Sequence, residues 1–241
     1  MKRIILAVFL LPMMHAAAQL PEVQMRSYPL VDDSVRVAYA LPAGNPVRPA
    51  VIVLHDRFGL QSNVHTVLKV LARMGFRAYA PELRSLPLTA VSGMPGFSLD
   101  STDAEMVTQV SVDVLNEEGC SGSIGLLAFD AGALVAMDVI TRFPFFRSAA
   151  LFYPPTDAEG LARLLEAKAV LQLHVAQFDP LCSLAAVNGL RERFMEAGKR
   201  LHVLYYKEAY PLFVNPEHEN WHKTNTQSAW NHLLKMLRGT L

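Results

Sequence analysis

Short apolar runs alternate with amphipathic runs along the chain, and this alternation constrains the fold more than any other feature of the sequence. Three of the apolar runs are Ala50–Leu54, Ser123–Phe129 and Ala169–Ala176, and each is followed by a run with helical periodicity. Strands that are apolar on both faces are typical of parallel sheets covered by helices. The sequence therefore predicts an α/β fold, a mostly parallel doubly wound sheet with helices on both faces.

The first two predicted strands differ from the later ones. Val23–Tyr28 and Ser34–Ala40 alternate polar and apolar residues around the turn Asp32-Asp33, which is typical of a hairpin with one solvent-facing side. We expect this hairpin at an edge of the sheet. No linker rich in Ser, Gly or Pro and no repeat follows, so residues 19–241 are expected to form one domain.

The start of the chain has the composition of a targeting segment. Two basic residues precede the apolar run Ile4–Leu11, and small residues follow up to Ala18, an order typical of a signal peptide cleaved near Ala18. The alternative, a membrane anchor, needs about 20 apolar residues, and Pro12 and His15 interrupt this run. We therefore expect residues 1–18 to be removed and the mature protein to be exported, either periplasmic or secreted, and not bound to the membrane.

Charge and cysteine content exclude several classes of function. The chain has 22 Lys and Arg residues against 22 Asp and Glu residues and lacks a basic block, so no nucleic-acid partner is expected. Its two cysteines, Cys120 and Cys182, have no spacing typical of a metal site, and we expect no metal and no cofactor. One precedes a predicted strand and the other follows one, which places them at opposite ends of the sheet and predicts two free thiols.

One junction between a strand and a helix has the pattern of a nucleophile elbow. In Ala128-Phe129-Asp130-Ala131-Gly132, small residues flank a central polar residue, and an apolar helix follows. Asp130 stands at the nucleophile position. A carboxylate there can also cap the helix that begins at Ala131, and the spacing alone leaves the two roles equally open.

Several segments, taken in order, resemble the dienelactone hydrolases: AVIVLHDRFGL, RAYAPEL, IGLLAFDAGA, LQLHVAQFDPL, YYKEAYPLFVNP and SAWNHLLKML. The resemblance covers roughly residues 35–238, which is the whole predicted domain rather than a single motif. It implies an α/β-hydrolase fold without a cap domain, and a triad of Cys (Ser in some members), His and Asp that opens esters and lactones. The expected partner is therefore a small ester or lactone-like molecule.

The resemblance places the three triad positions on residues of this chain. The nucleophile falls on Asp130, the aspartate that orients the histidine falls on Asp179, and the histidine itself falls on Pro211. Proline has no group that accepts a proton, and a triad needs its base to activate water even when the nucleophile is a carboxylate. The resemblance thus implies a hydrolase with a broken triad and weak or absent standard activity.

Other positions carry over without this loss. The backbone N–H groups of Arg57 and Ala131 match the oxyanion-hole positions, which need no particular side chain. Asp56 stands where family members have a glutamate, and the pocket is expected to include Asp56, Arg84 and Tyr210.

Two other functions stay open. The first is a working hydrolase that uses Asp130 with a relocated base, either His218 or His222, because both follow Pro211 in the same loop. The second is a non-catalytic module that binds a small ligand or a partner. His55 and His174 are expected to support the structure rather than the chemistry.

Three carboxylates, those of Asp56, Asp130 and Asp179, are expected to converge on one crevice at the carboxyl ends of the strands. Repulsion between them would raise the pKa of a carboxyl group or recruit a cation. Neutralisation by Arg57 or Arg84 is favoured over metal binding, because the spacings match no compact metal motif.

Overall fold

The structure is a computed structural model that describes residues 21–83, 101–155 and 158–241. The predicted leader, residues 1–18, and the predicted pocket residue Arg84 lie outside the described residues. The strands are Gln24–Pro29 (β1), Ser34–Ala40 (β2), Arg48–Leu54 (β3), Arg77–Pro81 (β4), Cys120–Phe129 (β5), Ser148–Phe152 (β6), Val170–Ala176 (β7) and Leu201–Tyr206 (β8). The helices are Ser62–Arg73 (α1), Ser101–Asn116 (α2), Ala131–Arg142 (α3), Ala158–Ala162 (α4), Leu184–Glu196 (α5) and Lys223–Thr240 (α6), with a 3₁₀ turn at Arg163–Glu166.

Within the described residues the strands form a single sheet in the order β1-β2-β4-β3-β5-β6-β7-β8. The first two pairings, β1 with β2 and β2 with β4, are antiparallel, and the remaining five are parallel. The predicted mostly parallel sheet is therefore confirmed, and so is the hairpin at its edge. Because β3, β5, β6, β7 and β8 are neighbours and parallel, the loops that follow them meet at one end of the sheet.

Helices cover both faces of the sheet, and alternating strand residues serve the two layers. Val51 and Val53 pack into the layer that contains α1 and α6, whereas Ile52 packs into the layer that contains α2, α3 and α5. This explains why the central strands read as unbroken apolar runs.

Gly132, in the first turn of α3, allows that helix to approach β3 closely. A Cβ atom at this position would lie 2.3 Å from the backbone oxygen of His55 and 2.9 Å from that of Leu54. No residue larger than glycine fits there without backbone movement. The glycine of the elbow pattern is therefore required by packing between helix and sheet.

Two helices differ from the sequence-based expectation. Apolar periodicity alone predicts a last helix near residues 228–238, but the helix begins at Lys223, because the ring of His222 caps it by accepting a hydrogen bond from the backbone N–H of Asn225. Its first turn is polar, so apolar periodicity does not reveal it. The amphipathic pattern of residues 158–166 predicts one helix, whereas the structure has the short helix α4 followed by the 3₁₀ turn.

The two thiols are free, as predicted: Cys120 begins β5 and Cys182 follows β7, at opposite ends of the sheet. In the part of the chain that the structure describes, no helix combines the length and the apolar character needed to cross a membrane.

Candidate active site

Asp130 lies at the turn between β5 and α3, in the backbone conformation of a nucleophile elbow. Its φ is 49° and its ψ is −121°, a left-handed region that non-glycine residues rarely occupy. Its backbone N–H donates to the carbonyl of Phe152, and its side chain makes no capping hydrogen bond to α3. Of the two roles left open by the spacing, the capping role is therefore wrong, because the carboxylate binds partners outside α3.

Arg57 binds the Asp130 carboxylate in a bidentate ion pair. The guanidinium donates from Nε to Oδ2 at 2.7 Å and from Nη2 to Oδ1 at 2.6 Å. The Asp130 side chain is almost fully buried, while the Arg57 side chain keeps 26% of its surface exposed. A bidentate pair of this kind fixes both the charge and the orientation of the carboxylate.

The backbone of Arg57 adds a third hydrogen bond to the same carboxylate. Its N–H, one of the two expected oxyanion donors, donates to Oδ2 of Asp130 at 3.3 Å. Ala131, the other expected donor, is the buried first residue of α3. The carboxylate thus takes up a donor that, in an oxyanion hole, would be aimed at the developing charge of a substrate.

Asp179 follows the end of β7 and is held by the turn that it begins. Its Oδ1 accepts hydrogen bonds from the backbone N–H groups of Leu181 at 2.9 Å and Cys182 at 3.0 Å. Its Oδ2 is buried and has no hydrogen-bond partner among the described residues. Burial raises the pKa of Asp179, and the nearby Asp130 charge raises it further.

Asp56 follows β3 and turns to a different set of partners. Its Oδ1 accepts from the backbone N–H of Phe58 at 3.0 Å, and its Oδ2 accepts from Nδ2 of Asn63 at 3.3 Å. Burial raises the pKa of Asp56 above its usual range. Asn63, in the first turn of α1, was missed by the sequence reasoning, and no motif distinguishes it from an ordinary helix residue.

Electrostatics link the three carboxylates to one cation. The hydrogen bonds from Arg57 to Asp130 raise the Arg57 pKa, and the charges of Asp56 and Asp179 raise it further. The structure therefore brings the predicted acidic residues together near Arg57, which pairs directly with Asp130. In the described ranges no group of three or more His, Cys, Asp or Glu side chains could hold a metal ion.

Pro211 and Tyr210 lie in the loop between β8 and α6, at the same end of the sheet. The exposed ring of Tyr210 packs on that of Phe178, which follows β7, with centroids 4.7 Å apart. The carbonyl of Pro211 accepts a hydrogen bond from Nδ2 of Asn220 at 2.9 Å. These contacts hold the loop without any imidazole at position 211.

The two histidines considered as substitute bases are engaged in local hydrogen bonds. Nδ1 of His218 accepts from the backbone N–H of Asn220 at 3.1 Å, and Nδ1 of His222 accepts from that of Asn225 at 3.3 Å. In a neutral imidazole with Nδ1 as acceptor, Nε2 carries the proton. Nε2 of each ring therefore carries a proton and donates it. A general base acting through Nε2 would need this nitrogen unprotonated.

His55 and His174 support the structure. His55 is bonded through Nδ1 to the carbonyl of Asp56 and accepts at Nε2 from the backbone N–H of Leu83. His174 is buried within the sheet, hydrogen-bonded to Tyr206 and Gln172, and burial lowers its pKa well below its usual value. Neither ring is among the partners of the Asp130 carboxylate.

Residues 35–241 match the family model described as the dienelactone hydrolase family. A Salmonella typhi protein, a carboxymethylenebutenolidase by name, is 23% identical over 230 residues, which cover 87% of this chain and 84% of the relative. A protein of the same name from Methylorubrum extorquens is 22% identical over 87% of this chain and 78% of its own length.

Solved structures show the same fold. A Klebsiella pneumoniae protein described as a dienelactone hydrolase has a TM-score of 0.79 and 17% identity, covering 90% of this chain and 98% of its own. A dienelactone hydrolase-like promiscuous phosphotriesterase from metagenomic libraries has a TM-score of 0.75 and 17% identity, with coverages of 92% and 99%. The sheet and helices described above are those of an α/β-hydrolase.

Proposed function

The chain belongs to the dienelactone hydrolase family of α/β-hydrolases, and we propose that it is a member in which hydrolysis of esters and lactones by the standard triad is weak or absent. The crevice at the carboxyl ends of the strands would still admit a small ester or lactone-like molecule. The observation that carries the proposal is the bidentate ion pair between Arg57 and Asp130 at the elbow.

This ion pair opposes catalysis in two ways. A carboxylate that accepts three hydrogen bonds from Arg57 is a weak nucleophile, because its electron pairs are engaged and its charge is stabilised. The same carboxylate engages the backbone N–H that would stabilise an oxyanion. A substrate carbonyl would have to displace a buried, paired charge before it could bind there.

The remainder of the triad supports the same proposal. Asp179 stands where the orienting aspartate belongs, yet one of its oxygens is buried without a partner among the described residues. An oxygen without a partner is what the loss of the triad histidine would leave on this carboxylate. Pro211 cannot replace this histidine as a proton acceptor.

A working enzyme with a relocated base is less well supported. His218 packs beside Phe58, with ring centroids 6.1 Å apart, so it lies close to the loop that carries Arg57. Its Nδ1 nevertheless accepts from the backbone, and among the described residues the carboxylate of Asp130 accepts hydrogen bonds from Arg57 alone.

Initial rates of hydrolysis of p-nitrophenyl acetate test the proposal. The wild type, Asp130→Cys and Pro211→His should stay near the rate of the uncatalysed reaction, because each lacks a nucleophile or its base. The double variant should exceed either single variant by about 10- to 100-fold, since triad members act as a unit.

Thermal unfolding of each variant establishes that it is folded before its rate is interpreted. Rapid turnover by the wild type would contradict the proposal. A folded double variant without activity would show that the oxyanion site or the pocket has been lost as well.

We also propose that the protein is exported after cleavage near Ala18, on the basis of the leader-like order of residues 1–18. The N-terminal sequence of the mature protein, purified after expression of the full chain, tests this. An N-terminus at Met1 in the cytoplasmic fraction would contradict it.

A further inference from the structure

A cavity of about 220 Å³ lies between α1, α6 and the loop that precedes α6, beside the crevice but with a different lining. Within the described residues, Arg57, Asp130 and Asp179 do not contribute to it. Its walls are formed mainly by apolar and aromatic side chains, among them Val64, Val67, Val70, Phe129, Tyr153, Val214, Trp221 and Trp230.

The charge in this lining is the carboxylate of Asp56. It is 3% exposed, and its hydrogen bonds come from the backbone of Phe58 and the amide of Asn63, both neutral donors. Among the described residues no Lys or Arg side chain forms an ion pair with it, in contrast to Asp130 and its partner Arg57. A buried carboxylate without a cation is unfavourable, and a bound cation would offset its charge.

The aromatic residues favour the same kind of ligand. Phe129, Tyr153, Trp221 and Trp230 line the cavity together with Asp56. Ring faces attract cations and also bury apolar groups, so they suit a ligand that carries both. Trp221 is 44% exposed at the present surface, which leaves it free to cover such a ligand.

We propose that this cavity binds a small primary amine with an apolar or aromatic body, whose ammonium group pairs with Asp56 and whose body packs between α1 and α6. A cavity of this volume suits a ligand of roughly ten non-hydrogen atoms. A ligand of that size is expected to bind with a Kd on the order of 0.1–1 mM. Asp56 stands between this cavity and the crevice, but Arg57 and Asp130 do not line the cavity, so amine binding can be measured whether or not the protein hydrolyses esters.

The chain offers a direct readout of binding. It has two tryptophans, Trp221 and Trp230, and both line the cavity. Titration with 2-phenylethylamine at pH 7 should change the intrinsic tryptophan fluorescence in a saturable way. The neutral analogue 2-phenylethanol, which has the same ring and chain, should bind at least tenfold more weakly, because it cannot pair with Asp56.

Two variants locate the site. Asp56→Asn should weaken binding of 2-phenylethylamine at least tenfold, whereas the matched control Asp179→Asn, another buried carboxylate at the same end of the sheet, should leave it unchanged. Val67→Phe should also weaken binding, because it adds bulk to the wall of α1 without touching the carboxylate. Calorimetric titration checks that the fluorescence changes report binding.

Clear results would overturn the inference. Equal affinity for the amine and the alcohol, together with no effect of Asp56→Asn, would show that the cavity takes neutral apolar molecules. Absence of saturable binding by the folded wild type up to about 10 mM would show that it is not a site for this class of ligand.

Discussion

Replacement of Arg57 with methionine tests whether the ion pair at the elbow stabilises the folded protein. Methionine keeps a long apolar side chain but leaves the buried Asp130 carboxylate without its cation. The variant should be much less stable than the wild type, because its folded state buries a charge without a partner, whereas in the unfolded state water solvates that charge.

The magnitude follows from the geometry of the pair. Opposite charges about 4 Å apart attract by about 4 kcal/mol at an effective dielectric constant near 20. Because 26% of the Arg57 side chain is exposed, solvent screens part of the attraction. We expect a loss of about 3 kcal/mol, or roughly 6–12 °C in Tm for a chain of this length.

Thermal unfolding followed by circular dichroism measures this loss in a double-mutant cycle. Asp130→Ala removes the buried charge and lets Arg57 turn to solvent, so it should cost only about 1 kcal/mol, and the combined variant should be more stable than Arg57→Met alone. The matched control is Arg36→Met, because Arg36 pairs with Glu82 at 3.6 Å with both side chains exposed, and the expected change is below about 0.5 kcal/mol. If Arg57→Met and Asp130→Ala lowered stability equally, and if their effects added in the combined variant, the view that Arg57 holds the Asp130 carboxylate in place would be refuted.

Three further substitutions have expected outcomes. Asp179→Asn should raise stability by about 1 kcal/mol at pH 7, because burial raises the folded-state pKa of this carboxyl and penalises its charged form. The penalty appears as pH rises through the pKa of the unfolded state, so the gain in thermal stability should vanish near pH 4. A loss of stability at pH 7 would contradict this. Gly132→Ala should lower stability by about 3 kcal/mol in chemical denaturation, because its Cβ would lie 2.3 Å from a backbone oxygen, and a neutral effect would be inconsistent with the close approach of α3. His222→Ala should cost about 1 kcal/mol through the lost cap of α6 and leave any residual esterase rate unchanged, whereas a fall in that rate would revive this histidine as a base.

The sheet could be predicted because its signals are local. An apolar run such as Ser123–Phe129 can bury both faces only as an interior strand, and the structure places it in β5. The start of α6 could not be predicted in the same way, because a histidine ring caps it and its first turn has no apolar stripe. Helix boundaries set by one side-chain hydrogen bond are not visible in hydrophobic periodicity.

The site divides along similar lines. The position of Asp130 follows from the small residues around it, which a tight elbow requires. The identity of its ion-pair partner cannot be predicted in this way, because Arg57 is 73 residues away and Arg84 fits the sequence equally well. The cavity beside Asp56 was not foreseen either, since α1 and α6 form it together and each of its apolar residues, taken alone, is an ordinary core position.

The strained backbone at Asp130 has an evolutionary consequence. A left-handed conformation of this kind costs roughly 1–3 kcal/mol. The main-chain hydrogen bond to Phe152 and the fit of Gly132 against β3 both support it here, and neither involves the side chain at position 130. The geometry of the elbow therefore does not depend on one particular side chain at position 130. Evolution could therefore exchange the side chain at this position on an unchanged backbone, and such exchanges should be more accessible here than in a fold whose elbow has relaxed.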